Sequence, residues 1–129
     1  MEGSLVILVV EDDQSIQSIV EEALSDGGYE PAIASSGEEA LTLLHENTYR
    51  ILVIDIKLGI DRIMGWDVAR RARAIHPALP VVYITGGPAE DWTAQGVPNS
   101  ILLTKPFAPA QLVTAVSQLL NTGPPPKIT

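Results

Sequence analysis

A chain of 129 residues with 46% hydrophobic content holds one domain with a real core and leaves no room for a second. Sixteen Asp and Glu against eight Lys and Arg give a formal net charge of −8, which argues against nucleic acid as a partner, because phosphate contacts need clustered cations, and favours partners with basic patches. The lack of cysteine excludes disulfides and thiolate metal sites and is compatible with a reducing cytoplasm. Met1-Glu2-Gly3-Ser4 has no basic region, and the apolar run behind it falls far short of the ~20 residues of a membrane span, so the expectation is a soluble, unexported, cytoplasmic protein with no membrane contact.

Strand-like and helix-like patterns then alternate. Leu5 to Val10 is a short, continuous Val/Ile/Leu run, as expected of a strand buried on both faces. Ile16, Ile19, Val20, Ala23 and Leu24 follow helical spacing, and Gly27-Gly28 ends that helix with residues that tolerate positive φ. Tyr29 to Ala34 reads as a second strand. Ser36-Gly37-Glu38-Glu39 reads as a capping box opening a helix with Ala40, Leu43 and Leu44 inward. Ile51 to Ile54 is the third strand, and a long loop from Ile56 to Met64 leads into a helix with Val68, Ala69, Ala72 and Ile75 on one face, stopped by His76-Pro77. Val81 to Thr85 is the fourth strand. A short helix is expected at about Ala89 to Gln95, closed by Gly96-Val97-Pro98. Ile101 to Leu103 is the fifth strand, and the last helix starts near Pro109 with Leu112, Val113, Val116 and Leu120 inward. The domain is expected to occupy residues 1–121, with a stiff Pro-rich tail over 122–129.

Five βα units imply an α/β fold: a doubly wound, five-stranded parallel sheet with five helices on its two faces. The flavodoxin-like strand order 2-1-3-4-5 suits this length and sets the first and third strands side by side. Three apolar runs stop at charged groups: the first at Glu11-Asp12-Asp13, the third at Asp55, the fifth just before Thr104-Lys105-Pro106. On a parallel sheet these charges meet at the carboxyl edge, where open α/β sheets bind ligands. Two carboxylates ~5 Å apart at an effective dielectric near 20 repel by roughly 3 kcal/mol, so three need a counter-ion or a shared proton. A divalent cation with oxygen ligands is the simplest relief, one carboxylate is then free to act as a nucleophile towards phosphorus, and Lys105 supplies a second cation.

With these residues in this order, the chain resembles a response-regulator receiver domain of two-component signalling, over about Leu5 to Leu120. The resemblance implies that Glu11 and Asp12 hold Mg²⁺ (or Mn²⁺), Asp12 directly and Glu11 partly through water. It makes Asp55 the phosphoacceptor and the Lys57 carbonyl the remaining protein ligand of the metal. Thr85 matches the switch hydroxyl and Lys105 the lysine that pairs with the phosphoryl group, with a cis bond expected before Pro106. Lys57 and Gly87 occupy positions that tune the phosphoryl lifetime. The implied donor is a histidine kinase or a histidine phosphotransfer protein, and the output passes by contact to a further protein, with a homodimer left open. On this reading the domain assists its own phosphorylation and dephosphorylation but is not a stand-alone enzyme.

Other residues read more simply. Asp13, directly before the helical pattern, is an N-cap rather than a metal ligand. His45 and His76 fall on helix surface or at a helix end, away from the acids, and Arg70, Arg71 and Arg73 form a solvated helix face or a kinase contact. Receivers commonly carry a proline four residues after the phosphoacceptor and a glycine eight after it. Here Gly59 takes the first place and Gly65 stands ten residues after Asp55, and Leu102 stands where the family often has an aromatic that turns inward on switching. A phosphatase of the haloacid-dehalogenase type needs a second acid where Lys57 stands, and a nucleotide binder would be repelled by Glu11-Asp12-Asp13. The remaining alternative is a phosphorylation-independent, receiver-like interaction module.

Overall fold

Alternation of side chains along five short strands decides the architecture. The computed structural model describes residues 6–57, 65–86 and 96–122. Its strands β1 (Val6–Val10), β2 (Glu30–Ala34), β3 (Ile51–Asp55), β4 (Val81–Thr85) and β5 (Ser100–Thr104) pair in parallel in the order β2-β1-β3-β4-β5. This is the flavodoxin-like order expected from the sequence. Helices α1 (Gln14–Asp26), α2 (Gly37–Glu46), α3 (Gly65–Ile75) and α4 (Pro109–Thr122) cover the sheet.

Successive strand residues point to opposite faces, so each central strand feeds two cores. Ile7, Val9, Ile51, Val53, Val82 and Ile84 pack with residues of α1 and α4. Leu8, Val10, Leu52, Ile54, Val81 and Tyr83 pack with α2 and α3. All of β3 and β4 are buried, which explains why their sequences are apolar on every position up to Asp55 and Thr85.

Four helices lie among the described residues. The fifth, expected near Ala89 to Gln95, falls outside them, as do Gly59, Gly87 and the tail from residue 123. The first helix opens as read: Asp13 accepts from the Ser15 amide at 2.8 Å, the Ser15 hydroxyl at 2.6 Å and the Ile16 amide at 3.4 Å. The capping box of α2 forms with one shift, because Glu39 N donates to Ser36 Oγ at 3.1 Å while Glu39 Oε1 reaches the Ser35 amide, one residue early, at 2.9 Å. Of the two glycines after α1, only Gly28 takes positive φ, at 93°. Ile19, grouped with the helical stripe, is 44% exposed. The second strand begins at Glu30, since Tyr29 turns towards α4 and its hydroxyl lies 2.8 Å from Ser117 Oγ. Helix α4 runs to Thr122. Among the described residues no helix is long and apolar enough to cross a membrane.

Candidate functional site

Strand register fixes the site before any side chain is considered. Val10 pairs with Ile54, so Glu11 follows β1 at the level of Asp55. Asp55 pairs with Ile84, and Thr85 pairs with Thr104, one residue before Lys105. Backbone bonds prolong the ladder past the strand ends, from Glu11 N to Ala34 O at 3.0 Å, Ile56 N to Ile84 O at 3.0 Å and Lys105 N to Thr85 O at 2.7 Å. Four strand ends therefore meet at one rim and line a cleft of about 460 Å³.

The acids converge as the sequence implied. Glu11, Asp12 and Asp55 each offer a carboxylate oxygen, and these lie within 4.8 Å of one another. Glu11 and Asp55 are buried, whereas Asp12 is exposed. Lys105 Nζ donates to Asp55 Oδ2 at 2.8 Å and lies 3.9 Å from Glu11 Oε1. The other oxygen of Asp55, Oδ1, accepts from the Lys57 amide at 3.0 Å. Thr85 and Gly86 complete the wall from β4, and the Lys105–Pro106 peptide bond is cis.

Glu11 is the least satisfied of the three acids. Its Oε2 accepts from the Asp13 amide at 3.1 Å, but its buried Oε1 has no hydrogen-bond partner. Burial first, and then the charge of Asp55, push its carboxyl up to about 8. Burial works against the Lys105 ammonium, but its hydrogen bond to Asp55 and the surrounding acids outweigh this and raise its pKa above the ordinary lysine value. An orphaned, buried carboxylate oxygen beside two further acids fits a hard divalent cation with oxygen ligands. Neutralising that group is what such an ion would do here.

Asp13 borders the cleft, but its side chain caps α1 and its pKa is lowered by the Ser15 hydroxyl and amide. Its backbone contributes more, by holding Glu11 Oε2. Sequence reading missed Gln17, whose amide donates to Glu11 O at 2.5 Å and to Ser35 Oγ at 3.2 Å, tying two rim loops together. No spacing rule marks a lone helical glutamine for this. His45 is exposed, and His76 bonds Leu44 O at 3.1 Å through Nε2. Neither approaches the acids. Arg70 pairs with Asp67 at 2.9 Å, while Arg73 turns inward to backbone carbonyls instead of lying on a solvated face.

Beside the acidic cleft lies a more apolar groove of about 430 Å³, walled by Ile16, Ile19, Pro106 and Phe107 and sharing Gly86 and Lys105 with it.

Comparison with known proteins bears on the same residues. The family model for the response regulator receiver domain matches residues 7–117. A crystal structure of a response regulator receiver protein from Sinorhizobium medicae is similar at a TM-score of 0.87 and 43% identity, covering 92% of this chain and 95% of that one. The response regulator MprA of a Mycobacterium species is 31% identical over 121 residues, covering 92% of this chain and 52% of its own length. The sensor kinase CckA of Brucella abortus is 30% identical over 124 residues, covering 94% of this chain and 13% of its own. The chain thus spans about half, or far less, of the curated relatives it matches.

Proposed function

Because the chain belongs to the response regulator receiver domain family, a phosphoacceptor module of two-component signalling, we propose that Asp55 is the residue that takes up the phosphoryl group here. The observation that carries this is the pairing of Lys105 Nζ with Asp55 Oδ2 at 2.8 Å beside the unpartnered oxygen of Glu11. One carboxylate is presented to a cation that can follow the charge of the product. Another stands ready for a metal.

Glu11, Asp12, Asp55 and the Lys57 carbonyl would hold Mg²⁺ or Mn²⁺. Such an ion offsets the negative charge that acceptor and phosphoryl group bring together. The reaction joins an Asp55 oxygen to phosphorus and breaks the bond from phosphorus to the imidazole nitrogen of a donor histidine kinase or phosphotransfer protein. With acetyl phosphate the leaving group is acetate. Lys105 stays with the transferred oxygens, and Thr85, at the end of the neighbouring strand, donates to them. Gain of nearly two negative charges in this cleft reorders the surrounding loops through new charge-assisted bonds.

A protein donor must cover the rim to bring its histidine to Asp55, and the groove at Ile16, Ile19 and Phe107 borders that rim. Its exposed Ile19 gives such a donor an apolar contact. Output is by protein contact, with the downstream partner and any homodimer set by the surface away from the cleft.

Titration with beryllofluoride and Mg²⁺, followed by fluorine NMR, tests the reading against the phosphorylation-independent alternative. A bound resonance that requires Mg²⁺ and disappears in Asp55→Asn supports phosphoacceptance. No bound resonance in the wild type favours the inert module.

A further inference from the structure

Leu102 cannot act as an aromatic switch, yet its neighbour across the sheet is an aromatic residue. Tyr83 of β4 pairs in register with Leu102 of β5, on the same face of the sheet. Tyr83 is fully buried, and its ring lies against Trp66 with centroids 4.7 Å apart and planes at 56°. Its hydroxyl accepts a hydrogen bond from the Val97 amide at 3.1 Å. A hydroxyl placed in an apolar core requires such a partner, so the ring is held at both ends.

Trp66 in turn is fixed to the site. It follows Gly65, whose amide donates to Ile56 O at 2.8 Å and whose Cα faces the Asp55–Ile56 backbone with no room for a side chain. Movement of the β3 terminus is therefore passed to the first turn of α3. The far end of that helix holds the same distant segment as Tyr83 does. Arg73 donates to the carbonyls of Leu79 and Pro98, and to that of Asn99 at 3.1 Å. Val97 is buried, while Pro98 and Asn99 face solvent immediately before β5.

We propose that Tyr83, clasped between Trp66 and the Val97 amide, is the positioning residue that passes occupancy of Asp55 to the segment 97–99, which reaches the surface at Pro98 and Asn99. The inference rests on the phosphoacceptor reading above. It supplies a contiguous packed route from the site to the surface: Asp55–Ile56 backbone, Gly65, Trp66, Tyr83, Val97. Partners that distinguish the two states would then read the Pro98–Asn99 segment, and Arg73 limits how far that segment moves.

The test is amide hydrogen exchange by NMR on the full chain, with and without beryllofluoride and Mg²⁺, while fluorine NMR reports occupancy of the cleft independently. In the wild type, occupancy should change Val97 exchange by about fivefold or more, the scale of one buried hydrogen bond made or lost. Tyr83→Phe keeps the ring and removes only the hydroxyl. It should bind beryllofluoride as the wild type does and lose the difference between free and occupied forms at the Val97 and Asn99 amides. Trp66→Phe should keep that difference, and Trp66→Leu should lose it. A purely structural tyrosine would lower thermal stability in Tyr83→Phe and leave the difference intact, which overturns the proposal while the phosphoacceptor reading stands. So does a wild type that binds the mimic with no change at Val97. A wild type that binds no beryllofluoride removes the underlying reading, and this route with it.

Discussion

Gly65 and Asp55 meet backbone against backbone. A Cβ on Gly65 would press into the Asp55 carbonyl oxygen and come within 2.7 Å of Ile56 Cα. Helix α3 can start against the end of β3 only because this position is glycine. Gly65→Ala should therefore destabilise the protein by about 1–3 kcal/mol, the usual cost of overpacking against atoms that cannot yield. Urea denaturation measures this, and an unchanged midpoint would contradict the close approach.

Glu11 gives the domain an unusual pH response. Its carboxyl titrates near 8 when folded, far above its ordinary value of 4.5, so between these limits the folded state binds more protons than the unfolded state. The stability linked to this group is complete below the unfolded pKa and is lost as pH rises through the folded one. In the absence of divalent cation, Glu11→Gln should gain stability relative to the wild type on going from about pH 5 to about pH 8, by on the order of 2 kcal/mol. Added Mg²⁺ should reverse the ranking at the higher pH, because the ion takes the place of the proton. Parallel stability curves for the two proteins would refute the assignment of the raised pKa to Glu11.

Ile19 separates docking from chemistry. It is 44% exposed on the groove beside the cleft and makes no part of the acidic cluster. Ile19→Asp should slow phosphotransfer from a cognate protein donor by roughly tenfold or more, as expected for removal of an apolar anchor. Phosphorylation by acetyl phosphate should proceed at the wild-type rate. Equal slowing with both donors would place Ile19 in the chemistry instead.

Lys57 has two roles that one substitution divides. Its amide bonds Asp55 Oδ1 at 3.0 Å whatever the side chain, while the residue as a whole is exposed and lines the cleft. Lys57→Ala should leave phosphorylation intact and shorten the lifetime of the phosphorylated form, because the cation no longer shields the phosphoryl group from water. A lifetime equal to that of the wild type would remove the side chain from the account.

The sheet and most of the acidic cleft were legible in the sequence for one reason: a parallel strand buried on both faces is an apolar run, and its end is where charge first appears. Asp55, Glu11 and Lys105 are marked in that way. Ile19 follows the helical spacing and yet is exposed, because such spacing identifies a stripe but not its edge. Arg73 was read as solvated because an arginine that bonds carbonyls through a turn of chain leaves no local pattern. The same holds for Tyr83 and Val97, 14 residues apart, whose hydrogen bond depends on how the chain returns to the sheet. Gly65 stands ten residues after Asp55 instead of eight, yet the glycine meets the strand end, where it packs against the Asp55 backbone.

The central claim is that Asp55 forms the covalent bond. Intact-protein mass spectrometry after incubation with acetyl phosphate tests it most directly. The wild type should gain the mass of one phosphoryl group when Mg²⁺ is present and none when it is chelated, and Asp55→Asn should gain none in either case. Stoichiometric phosphate on Asp55→Asn, or none on the wild type with Mg²⁺, would contradict the account.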